Sequence, residues 1–487
     1  MMNNLNNNRR PYLIALLCML LSSGMLCSCK KLLSIDPPIN SVTQTNVYST
    51  DDTAIGVLTN LYVQIGDPFR NAVMPIYMGL SADELQLYVN NDDSRNRHFQ
   101  NNLQAMNPGR TYDFWTDEYK MIFVCNQAIE GLNLSISLTP VVKQQLLGEA
   151  KFMRAYFHFY LANLFGDVPL VLGTDYTVNR LISRTARAKV YEQVVNDLKE
   201  AQDLLANDYP GASLQATTTE RVRPTKWAAT ALLARVYLYM NSNELAEQEA
   251  SKVIAHTALY DMTGVALDEV FKKNSRETIW SLPSVNNGVQ SNTYEGQTYV
   301  LSDPPSSSWT VYLSKHVLDD FEIGDQRKSK WMGSIQQAVG GPVYYFPYKY
   351  KIGLKIADPQ EYAMVLRLGE QYLIRAEARA RQGKILGANS AESDLNLIRQ
   401  RAGLAGTTAS NQTEMLDAIL RERRSELFTE SCHRWFDLQR FGKIDEVMSV
   451  VCPEKGGVWA PYKALMPIAQ AEINLNPSLK GHQNPGY

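Results

Sequence analysis

"TEMLDAILRERRSELFTESCHRWFDLQRFG", residues 413–442, carries apolar residues at Leu416, Leu420, Leu427, Trp435 and Leu438. That spacing predicts one long helix with a single face turned to a core. The opposite positions hold Arg423, Arg424, Glu426, Glu430, Arg434 and Asp437, with Glu430 and Arg434 in the favourable i,i+4 order. Cys432, His433, Asp437 and Arg440 lie within nine positions and resemble catalytic raw material. On a helix, adjacent side chains such as Cys432 and His433 diverge by about 100° and cannot pair as nucleophile and base. The stretch therefore reads as scaffold: a core stripe with an ion network of Arg423, Arg424, Glu426, Arg434 and Asp437 clamping neighbouring helices.

Similar helices precede it. "STDDTAIGVLTNLYVQI" (49–65) has Ser49 or Thr50 to cap it. "WTDEYKMIFVCNQAIEGLN" (115–133) follows, then "VVKQQLLGEAKFMRAYFHFYLANLFG" (141–166), started after Pro140 and stopped at Gly166. Further helices are expected at 187–205, 224–240, 243–256, 361–383 and 391–403. Short turns between them predict antiparallel pairs stacked in the manner of tetratricopeptide solenoids. The small-residue rows "AATALLAR" and "IRAEARAR" suit close helix approach.

Residues 257–360 have a different texture. Helical periodicity fades, and β-prone runs such as "TIWSL" and "PVYYFPYKY" alternate with turn signals. The fold expected is thus mainly α: a helical scaffold, chiefly 115–256 and 361–442, carrying a large irregular insertion with mixed α and β elements.

The N-terminus sets the compartment. Arg9 and Arg10 precede "PYLIALLCMLLSSGMLCSC", an apolar run that Ser22, Ser23 and Gly24 interrupt, which reads as a secretory signal peptide over 1–28. Leu26, Ser28 and Cys29 stand at −3, −1 and +1 of a bacterial lipobox pattern, making Cys29 the expected lipidation site. Several acyl chains hold a protein on a membrane without a span. Residues 29–48 then read as an extended tether and 49–487 as the folded domain. Cys125, Cys432 and Cys452, widely spaced and odd in number, give no disulfide framework.

Composition narrows the function. The chain of 487 residues has 48 basic and 50 acidic side chains, 45% hydrophobic and 20% charged residues. A near-neutral chain lacks the basic footprint of a nucleic-acid binder. The six His are scattered, with no metal-ligand spacing, no phosphate loop and no dinucleotide fingerprint. No metal, cofactor or catalytic residue is expected.

Two stretches could hold a ligand. "GLSADELQLYVNNDDSRNRHF" (79–99) has carboxylates at Asp83, Glu84, Asp92 and Asp93. It reads as a solvated loop, or as hydrogen-bonding groups for sugar hydroxyls, with Asn91 and Arg95 as candidates. The insertion concentrates Trp280, Tyr294, Tyr299, Trp309, Tyr312, Trp331, Tyr344, Tyr345, Phe346, Tyr348 and Tyr350 among amides. A sugar ring has an apolar C–H face and a hydroxyl rim, so its site needs flat aromatics beside polar groups. Most of these rings are expected in the core; Trp309, Tyr294 and Tyr299 are taken as ligand contacts.

Seven stretches in order carry a family resemblance over nearly the whole mature chain. They are the Cys29 lipobox with "LLSIDPP", then 115–133, "EAKFMRAYFHFYLANLFGDVPLV" (149–171), "RPTKWAATALLARVYLYM" (223–240), "LRLGEQYLIRAEARARQG" (366–383), "RERRSELFTESCHRWFDLQR" (421–440) and "MPIAQAEINLNPSLKGHQNPGY" (466–487). The sequence resembles the SusD/RagB outer-membrane nutrient-binding lipoproteins. The resemblance implies four tetratricopeptide-like helix pairs and a surface-facing, lipid-anchored protein of the outer membrane. It implies a lid over a SusC-like TonB-dependent transporter that captures oligosaccharides, or peptides in the RagB branch, and makes or breaks no bond. The helical half is the face expected against the transporter. Ligand loops vary within the family, so no site residue carries over by motif. A glycoside hydrolase and a helical adaptor remain the rival readings.

Overall fold

In a computed structural model of the chain, residues 47–66, 73–88, 92–284, 292–306, 310–353 and 358–487 are described. The signal peptide, Cys29, most of the tether, Asn91 and Trp309 lie outside them.

The described residues open with α1 (Asp51–Ile65), capped by the Thr50 hydroxyl, and α2 (Met74–Ser81). Strand β1 (Leu85–Leu87) and α3 (Asp93–Phe99) lead to the long pair α4 (Thr111–Leu134) and α5 (Pro140–Phe165). Pro140 opens α5 where its missing N–H costs nothing, and Gly166 ends it at φ +76°. Next come α6 (Arg187–Leu204), α7 (Lys226–Tyr239) and α8 (Asn243–Ile254). Each packs on its predecessor, and α8 also packs on the helix Leu368–Arg381 that follows the insertion, so the scaffold continues across the interruption.

Small residues set these spacings. A Cβ on Gly148 of α5 would lie 2.8 Å from Leu205 Cγ, so α5 approaches the end of α6 only because residue 148 has none. Ala228, Ala229, Ala231 and Ala234 of α7 are fully buried.

The insertion holds β2 (Thr278–Leu282), the short helix α9 (Tyr294–Tyr299), β3 (Val311–Leu313), β4 (Met332–Gln336) and β5 (Val343–Pro347). Strand β6 (Ala363–Arg367) then runs directly into α10 (Leu368–Arg381). The pairs β1–β3, β2–β6 and β4–β5 are all antiparallel. The helix expected from residue 361 therefore starts seven residues later, because Ala363–Arg367 pairs with β2, Leu282 facing Ala363 and Thr278 facing Arg367.

After α11 (Ala391–Arg401), the opening stretch forms two helices, not one: α12 (Gln412–Leu427) and α13 (His433–Arg440). Thr429, Ser431 and Cys432 adopt φ of 57°, 45° and 62°, the left-handed region that breaks a helix. Met415 and Ile419 are the fully buried pair of α12, while Leu416 and Leu420 are half-buried beside them. The molecule is mainly helical, and its insertion packs with β1 and the break after α12 around a core that includes Leu85, Phe271, Val311, Trp331 and Phe428. Cys125, Cys432 and Cys452 are free thiols. No described helix is long and apolar enough to cross a membrane.

Candidate functional site

Strand alternation in "LQLY" (85–88) builds an outward aromatic face. Leu85 pairs with Leu313, Gln86 with Tyr312 and Leu87 with Val311. The leucines and Val311 enter the core, which sends Gln86 and Tyr312 to the opposite side. The pairing extends one step, the Tyr88 N–H donating to the Thr310 carbonyl at 2.8 Å. Tyr88 thereby takes the outward side and is 39% exposed.

Tyr344 of β5 joins the two. Its ring stands edge-to-face with Tyr88 at 5.8 Å and with Tyr312 at 5.1 Å, at interplanar angles of 87° and 83°. Burial and the neighbouring phenols push the Tyr312 hydroxyl above its usual range, so it is neutral at ordinary pH. Arg95 flanks this ribbon. Its N–H donates to the Asp92 carboxylate that caps α3, and its Nη1 donates to Thr310 Oγ1 at 2.5 Å. The result is three tyrosines, the Gln86 amide and the Arg95 guanidinium around one strand end. Flat apolar faces with a few fixed polar groups suit a ring with one C–H face and a hydroxyl rim.

The other sequence candidates fall elsewhere. Asn91 and Trp309 lie outside the described residues. Tyr294 lines a cavity between the scaffold and the insertion. Tyr299, expected to contact ligand, is instead 3% exposed in the insertion core, and its hydroxyl has no hydrogen-bond partner among the described residues. Sequence reasoning named Tyr312 and Tyr344 only within the insertion's aromatic set, not as ligand contacts, and did not name Gln86 or Tyr88. The signal was there for the last two in the period-two pattern Leu85, Gln86, Leu87, Tyr88.

Asp83 and Glu84 are not in a solvated loop. They are 2% and 3% exposed. Asp83 accepts from Arg434 Nε and Nη2 at 2.9 and 2.8 Å, and Arg424 Nη2 lies 3.1 Å from it. Burial alone would raise its carboxyl; the guanidiniums of Arg424 and Arg434 outweigh that and hold it far below the usual carboxylate range. Burial pushes Glu84 up to about 7, opposed by the Thr429 N–H, which donates to it at 3.1 Å.

The charges of 421–440 reach across the molecule. Arg423 donates to Asp437 at 2.7 Å, and Arg440 bonds both Asp437 and Glu377. Glu426 accepts from Arg327, Arg367 and Arg401, which drive its carboxyl well down against the cost of burial. Glu430 does not pair with Arg434, because the break after Leu427 puts them on different elements. It accepts from Arg367 at 2.8 Å and from Lys349 at 2.5 Å. Burial pushes the Cys432 thiol far up and the His433 imidazole far down, so both are neutral. A neutral buried thiol is a poor nucleophile.

Comparison with known proteins bears on what this arrangement serves. A family described as "Starch-binding associating with outer membrane" matches residues 55–238, and one described as "SusD family" matches residues 343–487. SusD-like protein P2 of Formosa agariphila is 24% identical over 500 residues, covering 92% of this chain and 95% of that one. The starch-binding protein SusD of Bacteroides thetaiotaomicron is 25% identical over 427 residues, covering 70% and 72%. A solved laminarin-binding SusD-like protein superposes with a TM-score of 0.70 at 22% identity, covering 89% and 99%.

Proposed function

The chain belongs to the SusD/RagB family, and from that premise we propose that it is a glycan-binding protein of the outer-membrane surface. It captures oligosaccharides and delivers them to a SusC-like TonB-dependent transporter. The observation that carries the reading is the outward-facing cluster of exposed Tyr88 with half-buried Tyr344 and Tyr312, and Gln86 and Arg95 at its edge. Starch and laminarin appear in the names of two relatives, which makes glucans the first class to try.

The mechanism is capture, not chemistry. A pyranose lays its C–H face on a tyrosine ring, and its hydroxyls bond the phenol, amide and guanidinium groups. Aromatic contacts of this kind contribute about 0.5–1.5 kcal/mol beyond area burial. A few of them give an affinity modest enough for the sugar to leave again. Asn91 and Trp309, chain neighbours of Asp92 and Thr310, are proposed to add to the same site. Cys29, acylated, is proposed to anchor the chain, with the helical half turned to the transporter. The ion network of Arg423, Arg424, Glu426, Arg434 and Asp437 is assigned to holding the scaffold, and no residue is assigned to catalysis.

A glycan array probed with the purified chain tests the reading. Retention of at least one oligosaccharide is expected. Binding confined to peptides, or oligosaccharide cleavage abolished by a single carboxylate substitution, would replace this function with another.

A further inference from the structure

A cavity of about 80 Å³ lies where α4 and α5 meet β2, α9, β6 and the turn before α13. A water needs roughly 10–15 Å³ of such space, so this one has room for a small molecule of about half a dozen heavy atoms. Its described walls include three glutamates, Glu118, Glu295 and Glu430, and no Arg, Lys or His. Glu430 is answered from behind by Arg367 and Lys349. The other two are not: Oε2 of Glu118 and Oε2 of Glu295 are buried with no hydrogen-bond partner among the described residues, and Glu118 is 2% exposed. Buried polar atoms are nearly always partnered, so two orphans on one cavity point to a missing guest.

The charge of the guest follows from the walls. Two carboxyls with no counter-charge among the described lining residues favour a cation. Among the described residues no group of three His, Cys, Asp or Glu could hold a metal ion, and hard cations take six or more oxygens. Tyr156 and Tyr160, with ring centroids 4.7 Å apart, line the cavity beside Glu118. Aromatic faces next to carboxyl oxygens suit an organic ammonium, which offers N–H donors to the oxygens and a diffuse charge to the rings.

We propose that this cavity is a binding site for a small primary ammonium group, held by the carboxyl groups of Glu118 and Glu295 against Tyr156 and Tyr160. Burial pushes Glu118 well above the usual carboxylate range and Glu295 up to about 7, as expected of acids whose cationic partner is missing. The site shares no lining residue with the Tyr88–Tyr344 face, so it stands or falls apart from glycan capture.

Thermal melting of the purified full-length chain with ethylammonium chloride tests it, with sodium chloride and ethanol as matched controls. The expected result is a saturable rise in Tm that neither control produces. Glu118→Gln and Glu295→Gln should each weaken the midpoint about tenfold, the loss expected for one charged hydrogen bond. Tyr88→Ala should leave it unchanged. Without ligand, Glu118→Gln should melt no lower than the parent, since it removes an unpaired buried acid. An equal response to ethanol or sodium chloride, no saturable rise, or a full response in Glu118→Gln would overturn the site. Where Glu118→Gln fails to fold, Glu295→Gln decides by the same criterion.

Discussion

Arg434 and Asp83, 351 positions apart in the chain, form a two-pronged ion pair with Nε–Oδ1 and Nη2–Oδ2 at 2.9 and 2.8 Å. The pair ties α13 to the turn that leads into β1, and β1 carries Gln86 and precedes Tyr88. A charge in the family's signature stretch thus holds the root of the aromatic face without touching it.

Arg434→Ala removes one partner of a buried pair and leaves Asp83 with Arg424 in contact and Lys455 farther off. Such losses cost about 3–5 kcal/mol. Denaturant unfolding should show a drop of that order. Glycan affinity per folded molecule should stay the same, because Arg434 is 7% exposed and buried below the ligand face. Lost affinity at an unchanged unfolding midpoint would make Arg434 a ligand contact.

Glu84 gives a pH dependence of definite sign. Its folded carboxyl titrates at about 7, raised chiefly by burial, while an unfolded glutamate titrates near ~4.3. Between those values the folded chain holds a proton that the unfolded chain has released. The group therefore favours the fold at low pH, and that advantage fades as pH rises through 7. Asp83, Glu426, Glu430 and Asp437 have depressed values and act in the opposite sense, losing their contribution only in acid. Urea melts at pH 5 and pH 8 should show a smaller fall in stability for Glu84→Gln than for the parent, by about 1–3 kcal/mol. Equal falls would place the Glu84 titration outside this window.

Tyr299 separates core from ligand surface. Its ring is buried and its hydroxyl has no partner among the described residues. Tyr299→Phe removes only that hydroxyl and should leave stability unchanged or slightly higher. Tyr299→Ala should cost about 3–5 kcal/mol, as for other large-to-small core changes. A Tyr299→Phe variant that folds normally but binds glycan more weakly would return Tyr299 to the site.

Cys29 is the test of anchoring. Cys29→Ala should release the protein from membrane fractions and abolish palmitate labelling. Persistence of both would move the lipid to another residue.

Helix-forming stretches were legible wherever local periodicity decided them, as in 140–165 and 226–239. Two boundaries were not. The break at 428–432 uses Thr, Ser and Cys in the left-handed region, where sequence leads one to look for glycine or asparagine. The strand at 363–367 continues an apolar pattern into α10, and only its partner, 278–282, makes it a strand. The burial of Asp83 and Glu84 was illegible for a related reason. Their compensation comes from Arg424, Arg434 and Thr429, which no local pattern links to them. The aromatic face was half legible: "LQLY" shows which side Tyr88 takes, but only the third dimension brings Tyr344 to it.

Calorimetric titration of the purified chain with the best glycan from the array, repeated with Tyr88→Ala, Tyr312→Ala and Tyr344→Ala, tests the central claim most directly. Tyr344, in contact with both other rings, should matter most. Its loss should weaken binding at least about tenfold, the equivalent of ~1.4 kcal/mol, with the unfolding midpoint unchanged. Undiminished glycan binding in the variant lacking all three tyrosines would contradict the account.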